Sequence, residues 1–162
     1  MKFFQKQGFT LIELIIVIAV IALLAASVFV AVDPAKRIGE AQDAQRWASV
    51  TAIADAIQQY TVDNNGTFPT STVAAGTYYG IMGSSTTALT SASCAAQAVS
   101  SGMGVELGSL VPTYLPTIPV DPSGLVNGKF TQYYFMKNAA GRVRIGACVE
   151  SAYADSSIYV QR

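Results

Sequence analysis

A single carboxylate inside an apolar run is the first residue in this sequence that asks for a chemical explanation. Glu13 lies within residues 9–32, where 21 of 24 residues are apolar and only Thr10, Glu13 and Ser27 are not. Buried among apolar side chains, a carboxylate needs a positive partner. At the edge of a membrane it needs only headgroup water. Cys94 and Cys148 are the only cysteines, enough for one disulfide or two thiols. The chain has no His, which removes Ser-His and Cys-His nucleophile systems and His-ligated zinc. Asp121-Pro122-Ser123-Gly124 and Asn127 offer oxygen ligands. They lack the calcium-loop pattern with its bidentate Glu and read as a turn. No paired-carboxylate signature, Gly-rich phosphate loop or zinc spacing occurs. The sequence therefore predicts no catalytic residue, no cofactor and no metal.

The element that holds Glu13 must be a helix. Residues 14–32 pass without a charge, too long a run for an ordinary buried strand despite its Ile and Val. As a helix, residues 9–32 reach about 36 Å at about 1.5 Å each, more than a hydrocarbon core of about 30 Å. Lys2 and Lys6 are the only charges ahead of it. The positive-inside rule keeps that end in the cytoplasm and places the rest outside. A secretory signal fits poorly, because its apolar region is shorter and ends in a small-x-small site. A plain one-pass anchor explains the length but not Glu13. A buried soluble helix is disfavoured by the length.

Charge and composition narrow the class. Apolar residues are 51% and charged residues 12%, with ten basic and ten acidic side chains. A typical soluble domain carries about 25% charged residues. A net charge of zero argues against a polybasic grip on nucleic acid.

Beyond the run, Asp33-Pro34 and Gly39 predict a kink or weak point over residues 32–39. Val50, Ile53, Ala54, Ile57 and Tyr60 then recur at helical spacing and form one apolar face. Trp47 lies at the edge of that stripe, while Asp43, Arg46, Asp55 and Asp63 are expected mostly elsewhere. Asn64-Asn65-Gly66 is a helix stop. Asn65-Gly66-Thr67 also matches the glycosylation acceptor pattern, but a lone match of this kind usually arises by chance. Ser84 to Thr87 and Ser91 to Ser93 read as surface loop. Short strands are expected at 77–82, 131–137, 142–150 and 157–161, and a helical turn within 104–111. In 142–150, Val143, Ile145, Ala147 and Val149 should face the helix, with Arg142, Arg144, Cys148 and Glu150 on a solvated face. The fold class is α+β: a long N-terminal helix across a small antiparallel sheet. A Cys94–Cys148 bridge fits an extracytoplasmic compartment and the polar placement of both residues.

The start of the chain resembles a known family. Lys2 and Lys6 with Gln7-Gly8-Phe9-Thr10-Leu11-Ile12-Glu13-Leu14, followed by the apolar run, is similar to the processing site of type IV prepilins and type II secretion pseudopilins. The stretch 54–69 and the passage from Tyr114-Leu115-Pro116 to Asp121-Pro122 also resemble pilins and pseudopilins. The resemblance implies that a prepilin peptidase cuts between Gly8 and Phe9 and methylates the new amine of Phe9. It implies that Glu13 then faces the Phe9 amine of a neighbouring copy. It divides the chain into a leader (1–8), a transmembrane and polymerisation helix (9–34), an amphipathic continuation (35–66) and an extracytoplasmic β-rich domain (67–162). The implied partners are further copies in a helical filament, the peptidase, and a cytoplasmic-membrane assembly platform with its motor ATPase. The subunit would reside in the cytoplasmic membrane before assembly and outside the cell after it. The acidic, Gly-rich calcium loop of major secretion pseudopilins is not found after Lys129. The expected function is a structural subunit of a pilus-like filament. The alternatives are a pseudopilin of a secretion or DNA-uptake system, and a membrane-tethered binding module that never polymerises.

Overall fold

The computed structural model describes residues 8–70, 73–83, 94, 104–125 and 129–162. The chain divides into two units, residues 1–38 and 39–162. Helix α1 (Leu11–Val32) has no buried residue. Its 22 residues make a rod of about 33 Å, and its window mean hydropathy of 3.2 makes it long and apolar enough to cross a membrane.

One residue separates α1 from α2 (Pro34–Asp63). Asp33 takes φ 42°, in the left-handed region, and ends α1. The same residue starts α2: its carboxylate accepts from the Lys36 amide at 3.3 Å and its carbonyl from the Arg37 amide at 3.2 Å. Pro34 occupies the first helical position, where its missing N–H costs nothing. The weak point expected over 32–39 is thus a break at Asp33, and Gly39 lies inside α2. Gly39 serves packing instead. A Cβ there would meet the Tyr153 ring at 3.0 Å and Ser151 Cβ at 3.2 Å.

The second unit is a five-stranded sheet with α2 on one face. In chain order the strands are β1 (Tyr78–Met82), β2 (Gly104–Glu106), β3 (Phe130–Lys137), β4 (Val143–Ala147) and β5 (Tyr159–Gln161). They lie side by side as β2-β1-β3-β4-β5, with β1 and β2 parallel and every other pair antiparallel. Residues 104–106 therefore pair as a strand, and the expected helical turn shrinks to a 3-10 turn at Gly108–Leu110. Val105 is buried between exposed Gly104 and Glu106, a period of two rather than a helical one. Val50, Ile53, Ala54 and Ile57 form the main core with Tyr133, Phe135, Val143, Ile145 and Ala147. The odd-numbered side chains of β4 face α2, as their alternation predicts.

The opposite face of the sheet is not simply solvated. Met82, Phe130, Tyr134, Cys94 and Cys148 form a second buried cluster, with Tyr78 packed against it. The cause is visible in β3, where Tyr133, Tyr134 and Phe135 follow one another without a polar break. A continuous apolar run belongs to a strand buried on both sides. The Tyr134 ring crowds Gly146: a Cβ there would collide with the Tyr134 ring and hydroxyl. Gly146→Ala should therefore destabilise the folded chain by about 1–3 kcal/mol through overpacking. Thermal unfolding of the detergent-solubilised full-length protein reads this as a lowered Tm.

Candidate functional site

The start of α1 is built by a short local circuit. Thr10, in extended backbone (φ −80°, ψ 152°), caps the helix. Its amide and its hydroxyl both donate to Glu13 Oε2 at 2.8 Å, and its hydroxyl oxygen accepts from the Glu13 amide at 3.3 Å. This is a reciprocal capping box, which satisfies helix-end donors that nothing else would pair. A carboxylate in the first turn also faces the positive end of the helix dipole. Glu13 thus has hydrogen-bond donors within its own chain. The Thr10-Leu11-Ile12-Glu13 spacing carried that signal, because Thr-x-x-Glu ahead of an apolar run is the capping pattern. Phe9 is 84% exposed. It lines, with Glu13, Leu14, Ile16 and Val17, an apolar groove of about 520 Å³. Gly8 has open space around its Cα. Phe9, the cap residue Thr10 and Glu13 thus lie together at the start of a largely apolar helix that buries none of its residues.

A second polar assembly lies in the sheet unit, and sequence reasoning missed it. Arg46 is 2% exposed, not on a solvated flank of α2. Its Nε donates to Asp121 Oδ2 at 2.7 Å and its Nη2 to Asp121 Oδ1 at 3.0 Å, while Nη1 donates to Asp43 Oδ1 at 2.8 Å. Asp121 also accepts from the Ser123 amide at 2.8 Å and hydroxyl at 2.5 Å. Asp43 accepts from the Ser151 amide at 3.1 Å and from the Ser151 hydroxyl. The trio fastens the 121–124 turn and the loop after β4 to one helix. Residues 43, 46, 50, 53 and 57 continue a single helical stripe, so the placement of Asp43 and Arg46 was legible in their spacing. Trp47, one position off that stripe, is 40% exposed. Asp121 is thus more than the turn residue it was expected to be. The turn stands, but its carboxylate is spent on Arg46.

Burial pushes the Asp121 carboxyl up, yet the hydrogen bonds from Arg46 and Ser123 outweigh it and hold it below the usual carboxylate range. Asp43 follows the same pattern: burial raises it, and Ser151 and Arg46 bring it lower overall. Hydrogen bonding to Asp121 moves Arg46 further from deprotonation. Among the described residues, no group of three or more acidic or thiol side chains is placed to hold a metal ion.

Cys94 and Cys148 are joined in a disulfide with Cα atoms 4.5 Å apart. Cys148 is 1% exposed and belongs to the second cluster, so the bridge closes a small apolar core rather than spanning a polar face. The Ser/Thr runs at 84–87 and 91–93 lie outside the described residues, as does Asn127.

Comparison with known families bears on the first site alone. Residues 4–29 match the model of the prokaryotic N-terminal methylation motif. The chain carries the prepilin-type signal. That signal marks type IV pilins and pseudopilins, and it points to a structural subunit rather than to an enzyme family. No curated protein and no solved structure matches the chain. Gly8, Phe9, Thr10 and Glu13 all fall inside the matched segment.

Two outcomes follow for the buried trio. Arg46→Met strands two carboxylates and should cost about 3–5 kcal/mol of stability, read by denaturant unfolding. The folded-state pKa values of Asp43 and Asp121 are depressed. Their contribution is therefore complete above the unfolded value of about 3.9 and is lost as pH falls through the lower folded values. Tm measured against pH should drop on the acid side, and Asp121→Asn should make that drop shallower.

Proposed function

We propose that this protein is a structural subunit of a type IV pilus-like filament, polymerising through α1 after loss of residues 1–8. The observation that carries the reading is the coincidence of the methylation motif at residues 4–29 with a helix that buries none of its own residues. Such a helix needs a nonaqueous surrounding, and a bilayer and a bundle of like helices both supply one. In the bilayer the subunit waits, with its N-terminus in the cytoplasm. In the filament neighbouring α1 helices replace the lipid. Cleavage between Gly8 and Phe9 creates an amine, and methylation leaves that amine cationic. Glu13 of an adjacent copy then neutralises it within the helical stack. In this reading the peptidase, an assembly platform and a motor ATPase act on the subunit at the cytoplasmic membrane. A short pseudopilus in secretion or DNA uptake would use the same subunit chemistry.

The capping box sharpens the test, because Glu13 has a local role and a proposed intersubunit role. Gln at this position still caps a helix but carries no charge. Glu13→Gln should therefore leave α1 capped and membrane insertion intact, while abolishing sheared surface filaments as fully as Glu13→Ala. Normal filament yield from Glu13→Gln would refute the charge role. N-terminal mass spectrometry of the sheared material should begin at a methylated Phe9. An intact N-terminus on functional protein would instead support a tethered module that does not polymerise.

A further inference from the structure

Helix α2 ends in a turn that presents one asparagine and spends another. The Asn64 amide donates to the Tyr60 carbonyl at 2.9 Å, and the Gly66 amide to the Thr61 carbonyl at 2.8 Å. Asn65 and Gly66 both take left-handed backbone, φ 52° and 84°, as the terminating residues of a helix do. The Asn64 side chain donates from Nδ2 to the Tyr60 carbonyl at 2.8 Å. The Asn65 side chain makes no such bond among the described residues, and Asn65 is exposed. Gly66 has nothing within 4 Å of where a Cβ would stand. Thr67, also exposed, closes the turn with its amide on the Asn64 carbonyl at 3.0 Å.

Asn65-Gly66-Thr67 is the one place among the four asparagines of the sequence where an asparagine is followed two residues later by Ser or Thr. We propose that Asn65 is the acceptor of an N-linked glycan. The donor is a polyprenyl pyrophosphate-linked oligosaccharide, used by a membrane oligosaccharyltransferase on the outer side of the cytoplasmic membrane. The Asn65 Nδ2 attacks the anomeric carbon. A C–N bond forms, the C–O bond to pyrophosphate breaks, the polyprenyl pyrophosphate leaves, and Nδ2 gives up one proton. The turn meets the steric demands of that reaction, since the amide is uncommitted, the following residue has no side chain, and the Thr hydroxyl is accessible.

The inference rests on the extracytoplasmic placement argued above, and one measurement separates the two. Intact mass of the full-length protein purified from its native host reports the N-terminus and any added mass together. The expected spectrum shows a chain beginning at Phe9 with a carbohydrate increment that survives mild alkali, which strips Ser- and Thr-linked sugars. That increment should vanish in Asn65→Gln and Thr67→Ala and persist in Thr67→Ser. Thr67→Ala leaves Asn65 in its left-handed conformation, so its Tm should match that of Thr67→Ser. A processed chain of unmodified mass overturns the glycan alone. An unprocessed, unmodified chain overturns both readings. An increment that remains in Asn65→Gln places the sugar elsewhere and refutes the assignment.

Discussion

An apolar helix with nothing of its own to lie against is the constraint behind the rest of the molecule. Every residue of α1 is uncovered. Each fully exposed Leu, Ile, Val or Phe side chain forgoes roughly 1.5–3 kcal/mol relative to burial, and α1 holds such residues on all sides. No rearrangement of one amphipathic face cures this, because the helix has no polar face to turn outward. Lipid or other helices must cover it. The cap at its first turn pairs backbone donors that an apolar surrounding would otherwise leave unsatisfied.

The sheet unit solves the opposite problem. Its core is divided by the sheet into a large cluster under α2 and a smaller one closed by the disulfide. Arg46 ties the surrounding loops to α2. A guanidinium presents donors in a fixed fork, so it can serve two carboxylates at once. Here it takes Asp121 side-on with two bonds and Asp43 with a third. Such a buried trio is weak evidence for net stability against an apolar replacement, yet it fixes which loops lie against α2. The polar geometry specifies where the apolar stripe already supplies the attraction.

How much of this was legible in the sequence depends on which signal was read. The Val50, Ile53, Ala54 and Ile57 stripe and the alternation of Val143, Ile145 and Ala147 reported the main core, because periodicity follows directly from which side faces away from water. Arg46 was misplaced because charge was allowed to override spacing: its position on the stripe was plain, but its partner Asp121 is 75 residues away and no local pattern announces it. The second cluster was missed for a related reason. β4 alternates on its own, and only the unbroken Tyr133-Tyr134-Phe135 run of its neighbour shows that both faces are covered. At the candidate site the carboxylate was evident and its local partner was overlooked, although Thr10 and Glu13 stand at capping distance.

The reciprocal bonds between Thr10 and Glu13 have an implication for maturation. They use the nitrogen of the peptide unit linking Phe9 to Thr10, whereas the bond proposed to be cut is the one before it. Trimming the precursor would leave every participant in that circuit chemically unaltered. The enzyme would receive a substrate whose rigid part begins one residue past the cleavage point, and it would release a product that needs no refolding at its tip. Proteolysis would then change only the charge presented at the extremity, while the scaffold bearing it stays constant.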